Sequence, residues 1–313
     1  MGKLTNPTGL SKVSIPPLLG GFVLIILLIY TWNDGIAHML GVWWISPTYT
    51  HGFLVAPISI ALIAMGWRRG EVAVPWPLAL LGIGGASVLY ASGTHFDIRL
   101  FQHTAIITGI ISITILIMGT SFTWRHRFAL GFLLFAVPFG EEFTPLLQEI
   151  TAQAIMVVTA IAGLPAIRDG MLIQTDAGDF SVEEACAGLR FLTATIVSAA
   201  LMTHLFFTKR KKQIAFLIAA LILPLFANSI RAAGTVLVAS WTNMEVAAGV
   251  DHLFYGWAFF FVILTALMIS GFCFADADAP KRPNPQTSAH PRHGMSLFHF
   301  GIAAAILCLP RVF

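Results

Sequence analysis

Residues 181–191 have the sequence S-V-E-E-A-C-A-G-L-R-F, and a mostly apolar run follows from residue 192 to residue 207. Cys186 therefore lies where a polar loop enters a predicted membrane helix. The N-terminus of a helix carries partial positive charge that stabilises a thiolate, and Arg190, four residues on, is predicted on the same helical face. Cysteines in membrane helices are also common as inert fillers. Position alone leaves both interpretations open.

The composition of the whole chain predicts a multi-spanning membrane protein. Of its 313 residues, 57% are hydrophobic and only 11% are charged, whereas soluble domains average about 25% charged residues. A net charge of +3 is too small to indicate a nucleic-acid partner. The three cysteines lack metal-ligand spacing and indicate no disulfide framework. We expect an all-α polytopic membrane bundle of about eight or nine spans, embedded in the lipid bilayer and without a cofactor or metal.

Basic residues between the apolar runs predict the topology by the positive-inside rule. Residues 209–212, with the sequence K-R-K-K, are the strongest cytoplasmic signal, so Cys186 is predicted at the outer end of the span before them. Residues 16–32 form the predicted first span, and 33–50 an outer loop with Trp43, Trp44 and Tyr49 in an interfacial belt. The chain divides into a transmembrane domain (1–274), a cytoplasmic Pro-rich linker (275–295) and a C-terminal hydrophobic segment (296–313).

Two hydrophobic segments lie between the basic residues near 125 and the stretch around Cys186. Parity allows only one to cross. We favour 128–140 as the crossing segment and place 144–163, with Gln148, Glu149 and Gln153 at helical spacing, at the outer interface. The reverse assignment is also open. Residues 167–184 predict two short strands around a turn, a small outer-face β-hairpin leading into Cys186.

Arg231 lies within an apolar span in the sequence L-F-A-N-S-I-R-A-A-G. A charged residue there is costly and indicates function by default, although an Arg that snorkels or bonds backbone carbonyls is the simpler alternative. The rise from Lys212 is roughly 28 Å at about 1.5 Å per residue, nearly the hydrocarbon thickness of about 30 Å. Arg231 is therefore predicted level with Cys186, and Asn228 lies three residues earlier on the same face.

His252 opens the next span in G-V-D-H-L-F-Y-G-W, beside Asp251, which is a candidate to orient it. Three consecutive spans thus place a thiol, a guanidinium and an imidazole at one depth. A Cys–His pair provides an activated nucleophile and a general acid, and an Arg stabilises an oxyanion. This set indicates acyl transfer through a thioester.

Other polar residues near the predicted site are candidates for supporting or substrate-binding roles. Glu183 and Glu184 lie next to the thiol in sequence, and they are candidates to bind substrate or to pair with Arg190. His51 is a further candidate for support. For His51, as for His95 and Asp97, ordinary interfacial hydrogen bonding is the simpler interpretation. These last three lie at predicted outer loops.

The segments E-A-C-A-G-L-R, N-S-I-R and D-H-L-F-Y-G resemble, in this order, the signature segments of the exosortase/archaeosortase family. The resemblance covers mainly residues 163–256 and extends to T-H-G at 50–52 and V-P-F-G at 137–140. It implies a membrane cysteine protease/transpeptidase with Cys186, Arg231 and His252 as catalytic residues. It further implies a bacterial inner-membrane enzyme whose outer-face site cleaves a PEP-CTERM tail from a membrane-anchored secreted protein and transfers that protein to an unknown acceptor.

Two rival functions use the same residues. A transporter would use Arg231, Glu149 and His252 along its pathway, but the inverted repeats typical of transporters are not evident in the sequence. A membrane acyltransferase acting on lipid would use the same cysteine. The sequence separates that activity poorly from protein sorting.

Overall fold

The computed structural model describes residues 14–15, 17–66, 76–242, 251–276 and 295–311, with side chains for 19–66, 76–242, 256–276 and 298–310. The helices are α1 (Pro17–Thr31), α2 (Asn33–Ile45), α3 (Gly52–Met65), α4 (Trp76–His95), α5 (Arg99–Arg125), α6 (Arg127–Phe132), α7 (Thr144–Ile161), α8 (Leu189–Phe206), α9 (Arg210–Trp241), α10 (Asp251–Cys273) and α11 (Leu297–Cys308). The strands are β1 (Ser14–Ile15), β2 (Ala166–Asp169), β3 (Leu172–Thr175), β4 (Gly178–Ser181) and β5 (Met295–Ser296). The all-α class with a small antiparallel sheet is confirmed.

The described residues contain six helices that are long and apolar enough to cross a membrane, or seven if α1 and α2, bent by 80°, form one span. The protein is therefore a multi-pass membrane protein. Three further apolar helices are shorter: Gly52–Met65, Arg127–Ala136 and Phe298–Cys308. The predicted total of eight or nine spans requires that some of these short helices also cross.

The chain forms two compact units, the first of which contains residues 1–45, 52–138 and 283–313. Its core is built on α4 and α5, with α1 and α11 packed beside them. Trp32 is fully buried, stacks on Tyr90 at 4.7 Å between ring centroids, and donates a hydrogen bond to the carbonyl of Leu307. The C-terminal apolar segment thus belongs to this core, and β5 pairs with β1.

The predicted outer loop at 33–50 is wrong for most of its length, because residues 33–45 form α2. Gly35, Met39 and Trp43 recur every four residues and are buried, so this segment has the period of an amphipathic helix. The predicted belt position of Trp43 is wrong: the side chain is buried, and its Nε1 donates a hydrogen bond to the carbonyl of Ala136 at 2.8 Å. Trp44 is 82% exposed, as a belt residue would be.

The second unit contains residues 46–51 and 139–282, and all the predicted catalytic residues fall within it. Helices α8 and α9 pack against each other, and α10 packs on both. Ala199 and Met202 of α8 pack with Phe216 and Ala220 of α9, near the basic cluster. Since α9 has 32 residues, it is about 48 Å long and exceeds the hydrocarbon core of about 30 Å.

The predicted hairpin is present as β3 and β4, joined by a tight turn and paired antiparallel from Leu172↔Ser181 to Thr175↔Gly178. A third strand, β2, pairs with β3 on its other edge and was not predicted. Ile173 of the central strand is fully buried in an apolar cluster with residues of α7 and α9. The sheet therefore packs on the helices instead of standing free in solvent.

Of the two alternative crossing segments, 128–140 forms only α6 and a short 3-10 turn, whereas Glu141–Ile161 is long enough to span. The packing of α7 adds a second constraint. Thr151 lies beside Asn228, and Ala152 shares an apolar cluster with Ala232, so α7 packs on the second half of α9, away from the basic cluster. If the basic cluster is cytoplasmic as predicted, this packing places α7 toward the outer side. Whether it crosses stays a prediction.

Candidate active site

The predicted nucleophile lies in a 3-10 turn, Glu184–Cys186, immediately before α8. The amide of Cys186 donates to the carbonyl of Glu183 at 2.8 Å. Gly188 then adopts φ +80°, a conformation that favours glycine, and α8 begins at Leu189. Cys186 is therefore outside the helix, and the predicted shared helical face of Cys186 and Arg190 is wrong. The left-handed residue between them breaks the helical spacing.

Asn228 of α9 is 2% exposed and holds the 3-10 turn Glu184–Cys186, the cysteine turn. Its Nδ2 donates to the carbonyl of Cys186 at 2.7 Å and lies 3.3 Å from Oγ1 of Thr151. Its Oδ1 accepts a hydrogen bond from Nη2 of Arg231 at 3.0 Å. Because Arg231 can only donate, it fixes the amide orientation that presents Nδ2 to the cysteine turn. One side chain thus links two of the three predicted catalytic residues.

Gly188 explains how the turn comes so close to α9. A Cβ at this position would lie 2.7 Å from Cγ of Asn228, which is too close for a side chain. The glycine of the segment A-C-A-G-L-R therefore serves two needs, the positive φ and the close approach to Asn228. The Cys186 side chain is half-buried and packs on the apolar cluster that includes Ala152 and Ile173.

Arg231 has further hydrogen-bonding capacity beyond its bond to Asn228. Its Nε is buried and has no hydrogen-bond partner within the described part of the chain. Its Nη1 lies 3.5 Å from the position that a Cβ of Gly256 would occupy, so the guanidinium faces the first turns of α10. An unpartnered buried N–H is costly. This geometry leaves donors for an oxygen atom of a bound substrate.

Phe191 is an aromatic platform beneath two guanidinium groups. The Cζ of Arg190 lies 5.0 Å and that of Arg231 5.7 Å from its ring centroid. The ring itself is buried and stacks on Phe260 of α10 at 4.5 Å. Arg190 also lies 5.3 Å from the ring of Trp257. Cation–π contacts of this kind restrict both guanidiniums without using their N–H donors.

A cleft of about 430 Å³ lies next to the cysteine turn. The residues that line it come from the loop 46–51, the start of α7, the cysteine turn and the start of α8: Ser46, Pro47, Thr48, Glu141, Thr144, Pro145, Gln148, Glu184, Ala185, Leu189 and Arg190. Most of these side chains are polar or charged, unlike the apolar surfaces that face lipid. Its position makes it the candidate substrate cleft.

Short polar contacts hold the walls of this cleft. Gln148 donates from Nε2 to the carbonyl of Val182, the residue before Glu183, at 2.8 Å. Thr193 donates to the carbonyl of Thr48 at 3.3 Å. The hydroxyl of Tyr49 donates to the carbonyl of Phe139. Burial, and to a smaller extent the negative charge of two nearby glutamates, raises the pKa of Tyr49, so the hydroxyl stays protonated and remains a donor. The loop 46–51 and the cysteine turn are thereby fixed on either side of the cleft.

The structure places the other predicted site residues as follows. Glu183 and Glu184 are exposed and form no ion pair with Arg190 among the described residues. The Nδ1 of His51 lies 3.1 Å from the carbonyl of Thr48, within the loop. Asp251 and His252 belong to the first turn of α10, and their side chains lie outside the described residues.

Glu149, proposed above as a pathway residue of a transporter, instead forms a two-point ion pair with Arg168 of β2. Gln153 also donates to it. The ion pair raises the pKa of Arg168. These contacts connect the polar face of α7 to the sheet, so they support the fold around the cysteine turn.

A half-buried cysteine held beside two arginines, next to a polar cleft in a multi-pass membrane protein, defines a candidate membrane cysteine enzyme. Residues 43–269, more than two thirds of the chain, match the family described as transmembrane exosortase. The chain therefore belongs to the transmembrane exosortase family. No curated protein sequence and no solved structure matches it significantly. Membership supports a membrane enzyme that sorts secreted proteins bearing a sorting signal, and it is consistent with a cysteine-type protease or transpeptidase.

Several residues of the site had no predicted role. Phe191 was part of the decisive stretch, but its contacts with two arginines depend on the packing of α8, α9 and α10. Thr151 and Gln148 lie on α7, whose amphipathic pattern signals a polar face but not its partners. Trp257 follows His252 by five residues and appears in sequence only as an aromatic of a membrane span.

Proposed function

We propose that this chain is a cysteine transpeptidase that cleaves the C-terminal sorting tail, of PEP-CTERM type, of secreted proteins. The observation that supports this most directly is the Asn228 bridge, which joins the carbonyl of Cys186 to the guanidinium of Arg231. Two signature segments that lie more than 40 residues apart thus form one connected site. The site is proposed on the outer side of the bacterial inner membrane, because the basic cluster 209–212 lies at the other end of α8 and α9.

In the proposed reaction, His252 takes the proton of the Cys186 thiol, and the Sγ thiolate attacks the carbonyl carbon of the scissile bond. The free donors of Arg231 stabilise the negative charge on the carbonyl oxygen. His252 donates a proton to the leaving amine as the C–N bond breaks, which leaves a thioester and releases the tail. An acceptor nucleophile then attacks the thioester and its proton passes to His252; as the C–S bond breaks, His252 returns a proton to Sγ and the Cys186 thiol is restored.

The backbone of α10 supports the proposed role of His252. Residues 252 and 256 are four apart and share one face of the helix, and Gly256 lies against Nη1 of Arg231. The face of α10 that bears residue 252 is therefore the face next to the arginine. This supports His252 as the acid/base, with Asp251 as its neighbour in sequence.

The test is to co-express the enzyme with a secreted reporter that ends in such a tail and to follow loss of the tail by size. Cys186→Ala and Cys186→Ser should abolish processing, since a serine hydroxyl is a weak nucleophile without a strong base. Arg231→Lys should be severely impaired, because Lys lacks the planar fork of donors. Membrane levels of each variant are the control. Normal processing by Cys186→Ala would refute the proposal.

A further inference from the structure

Arg190 lies in the wall of the candidate substrate cleft, four residues after the nucleophile. The same cleft is lined by Glu184 and Ala185, the two residues that precede Cys186 in its 3-10 turn. A substrate segment bound in this cleft therefore contacts the residues that directly precede Cys186 in the chain. The neutral lining groups Ser46, Thr48, Thr144 and Gln148 offer the donors and acceptors that an extended peptide backbone uses.

No carboxylate neutralises the charge of Arg190 within the described part of the chain, although Cys186 lies within electrostatic range of it. No ion pair and no side-chain hydrogen bond there involves its guanidinium, although the residue is half-buried. Arg231 lies within electrostatic range and adds a second positive charge. The contacts that fix Arg190 are the rings of Phe191 and Trp257. An aromatic ring covers a face of the guanidinium and leaves its N–H edge free to bind a planar anion at two points.

The two carboxylates of the cleft, Glu141 and Glu184, do not provide that anion. Both are exposed, and neither lies within ion-pair distance of Arg190. Water and salt screen exposed charges, so their repulsion of an acidic ligand is weak compared with a direct two-point contact at a half-buried arginine. Among the described residues, the cleft therefore keeps one cationic position without a carboxylate partner.

We infer that Arg190 is a specificity-determining residue that binds a carboxylate side chain of the substrate segment held in this cleft. This inference rests on the proposed function, since it gives the cleft a peptide as its ligand. The substrate class is then a peptide with an acidic residue close to the bond that Cys186 attacks. Arg190 acts on the affinity for that peptide, whereas Arg231 acts on the reacting carbonyl.

The test measures binding without cleavage. The full-length Cys186→Ala variant in membranes is titrated with a tail-bearing reporter that carries a photoreactive residue, and cross-linked product is measured against reporter concentration. Each acidic residue of the tail region is changed singly to its amide, Glu→Gln or Asp→Asn. One such change should weaken capture on the order of 10-fold, the value of a charge-assisted two-point bond. Arg190→Gln should weaken capture of the parent reporter equally.

The decisive result is the combination of both changes. If Arg190 binds that carboxylate, Arg190→Gln captures the parent and amide reporters equally well, and a reporter with Glu→Arg there regains capture with Arg190→Glu. Independent losses that multiply would overturn the inference, as would equal capture of all reporters. Arg127→Gln removes an exposed arginine far in sequence from the cleft residues and is the matched control. If Arg190→Gln does not accumulate, Arg190→Lys takes its place, with a smaller loss expected.

These outcomes are separable from those of the proposed function. Capture uses a variant without the thiol, so it does not require cleavage, whereas the proposed function is tested by tail loss with the intact thiol. If tail loss depends on Cys186 but Arg190→Gln captures the reporter as well as the parent does, only the role of Arg190 is refuted. Capture that depends on Arg190, without tail loss by the intact enzyme, would refute only the reaction.

Discussion

Asn228 is the residue whose replacement tests the architecture of the site most directly. Asn228→Ala removes a neutral hydrogen bond at 2.7 Å to the carbonyl of Cys186 and a bond at 3.0 Å from the charged Arg231. A neutral bond contributes about 0.5–1.5 kcal/mol and a bond to a charged group about 1.5–3 kcal/mol. The expected loss of unfolding free energy is therefore about 2–4.5 kcal/mol. If the same loss applies to the transition state, processing slows at least about 30-fold.

Asn228→Asp separates the two bonds. The acid keeps an oxygen for Arg231 but places a second oxygen against the carbonyl of Cys186, so two acceptors face each other without a proton. We expect this variant to accumulate in the membrane and yet to process a tail-bearing reporter poorly. Thr151→Val is the matched control, because it keeps the side-chain volume and both main bonds of Asn228, and removes the 3.3 Å contact to Asn228 together with a bond to the Leu147 carbonyl within α7. Its processing should fall less than about tenfold.

The assays are thermal unfolding of the purified protein in detergent and tail loss in cells, normalised to the amount of enzyme. Both measurements should fall for Asn228→Ala, whereas mainly processing should fall for Asn228→Asp. Full processing by Asn228→Asp would refute the claim that this amide positions the cysteine turn. An effect of Thr151→Val as large as that of Asn228→Ala would assign the effect to packing.

Three other changes have defined outcomes. Gly188→Ala forces φ +80° on an L-residue, which costs about 1–2 kcal/mol of folding free energy, and it brings a Cβ against Asn228. The unfolding temperature and processing should both fall. Gly131→Ala is the control and should be nearly neutral, because a Cβ there meets open space. Phe191→Leu keeps the site apolar but removes the ring beneath both guanidiniums; we expect roughly tenfold slower processing, and an unchanged rate would show that the ring does not position them. Asp276 has its pKa held well below the usual range by a lysine side chain and then by two backbone N–H groups. Because its pKa is lower in the folded than in the unfolded state, Asp276 stabilises the fold above the unfolded pKa, and this stabilisation is lost as the pH falls through the folded pKa. Asp276→Asn should therefore unfold at a lower temperature at neutral pH and lose less stability in acid than the parent. An unaltered acid profile would contradict this.

The sequence by itself determined the class of protein and the order of its key residues, and it predicted their depth in the membrane. Apolar runs and scarce charges specify membrane helices, because an unpaired polar group in hydrocarbon is costly whatever the helix packs against. The constant rise of an α-helix then converts residue number into depth, which placed Arg231 about 28 Å from Lys212. The unbroken course of α9 from Arg210 to Trp241 supports that estimate. The hairpin before Cys186 was likewise predictable from its local pattern.

Only the tertiary structure decided which side chains meet. Depth does not fix the direction in which a helical residue points toward its neighbours; that depends on how helices cross and on single turns such as the left-handed Gly188. Hence the bonds of Asn228, the ring of Phe191 beneath two arginines and the register of α7 on α9 were not predictable. The helix at 33–45 was missed for a related reason. Its burial depends on partners such as Tyr90 and Ala136, which lie more than 50 residues away in the chain.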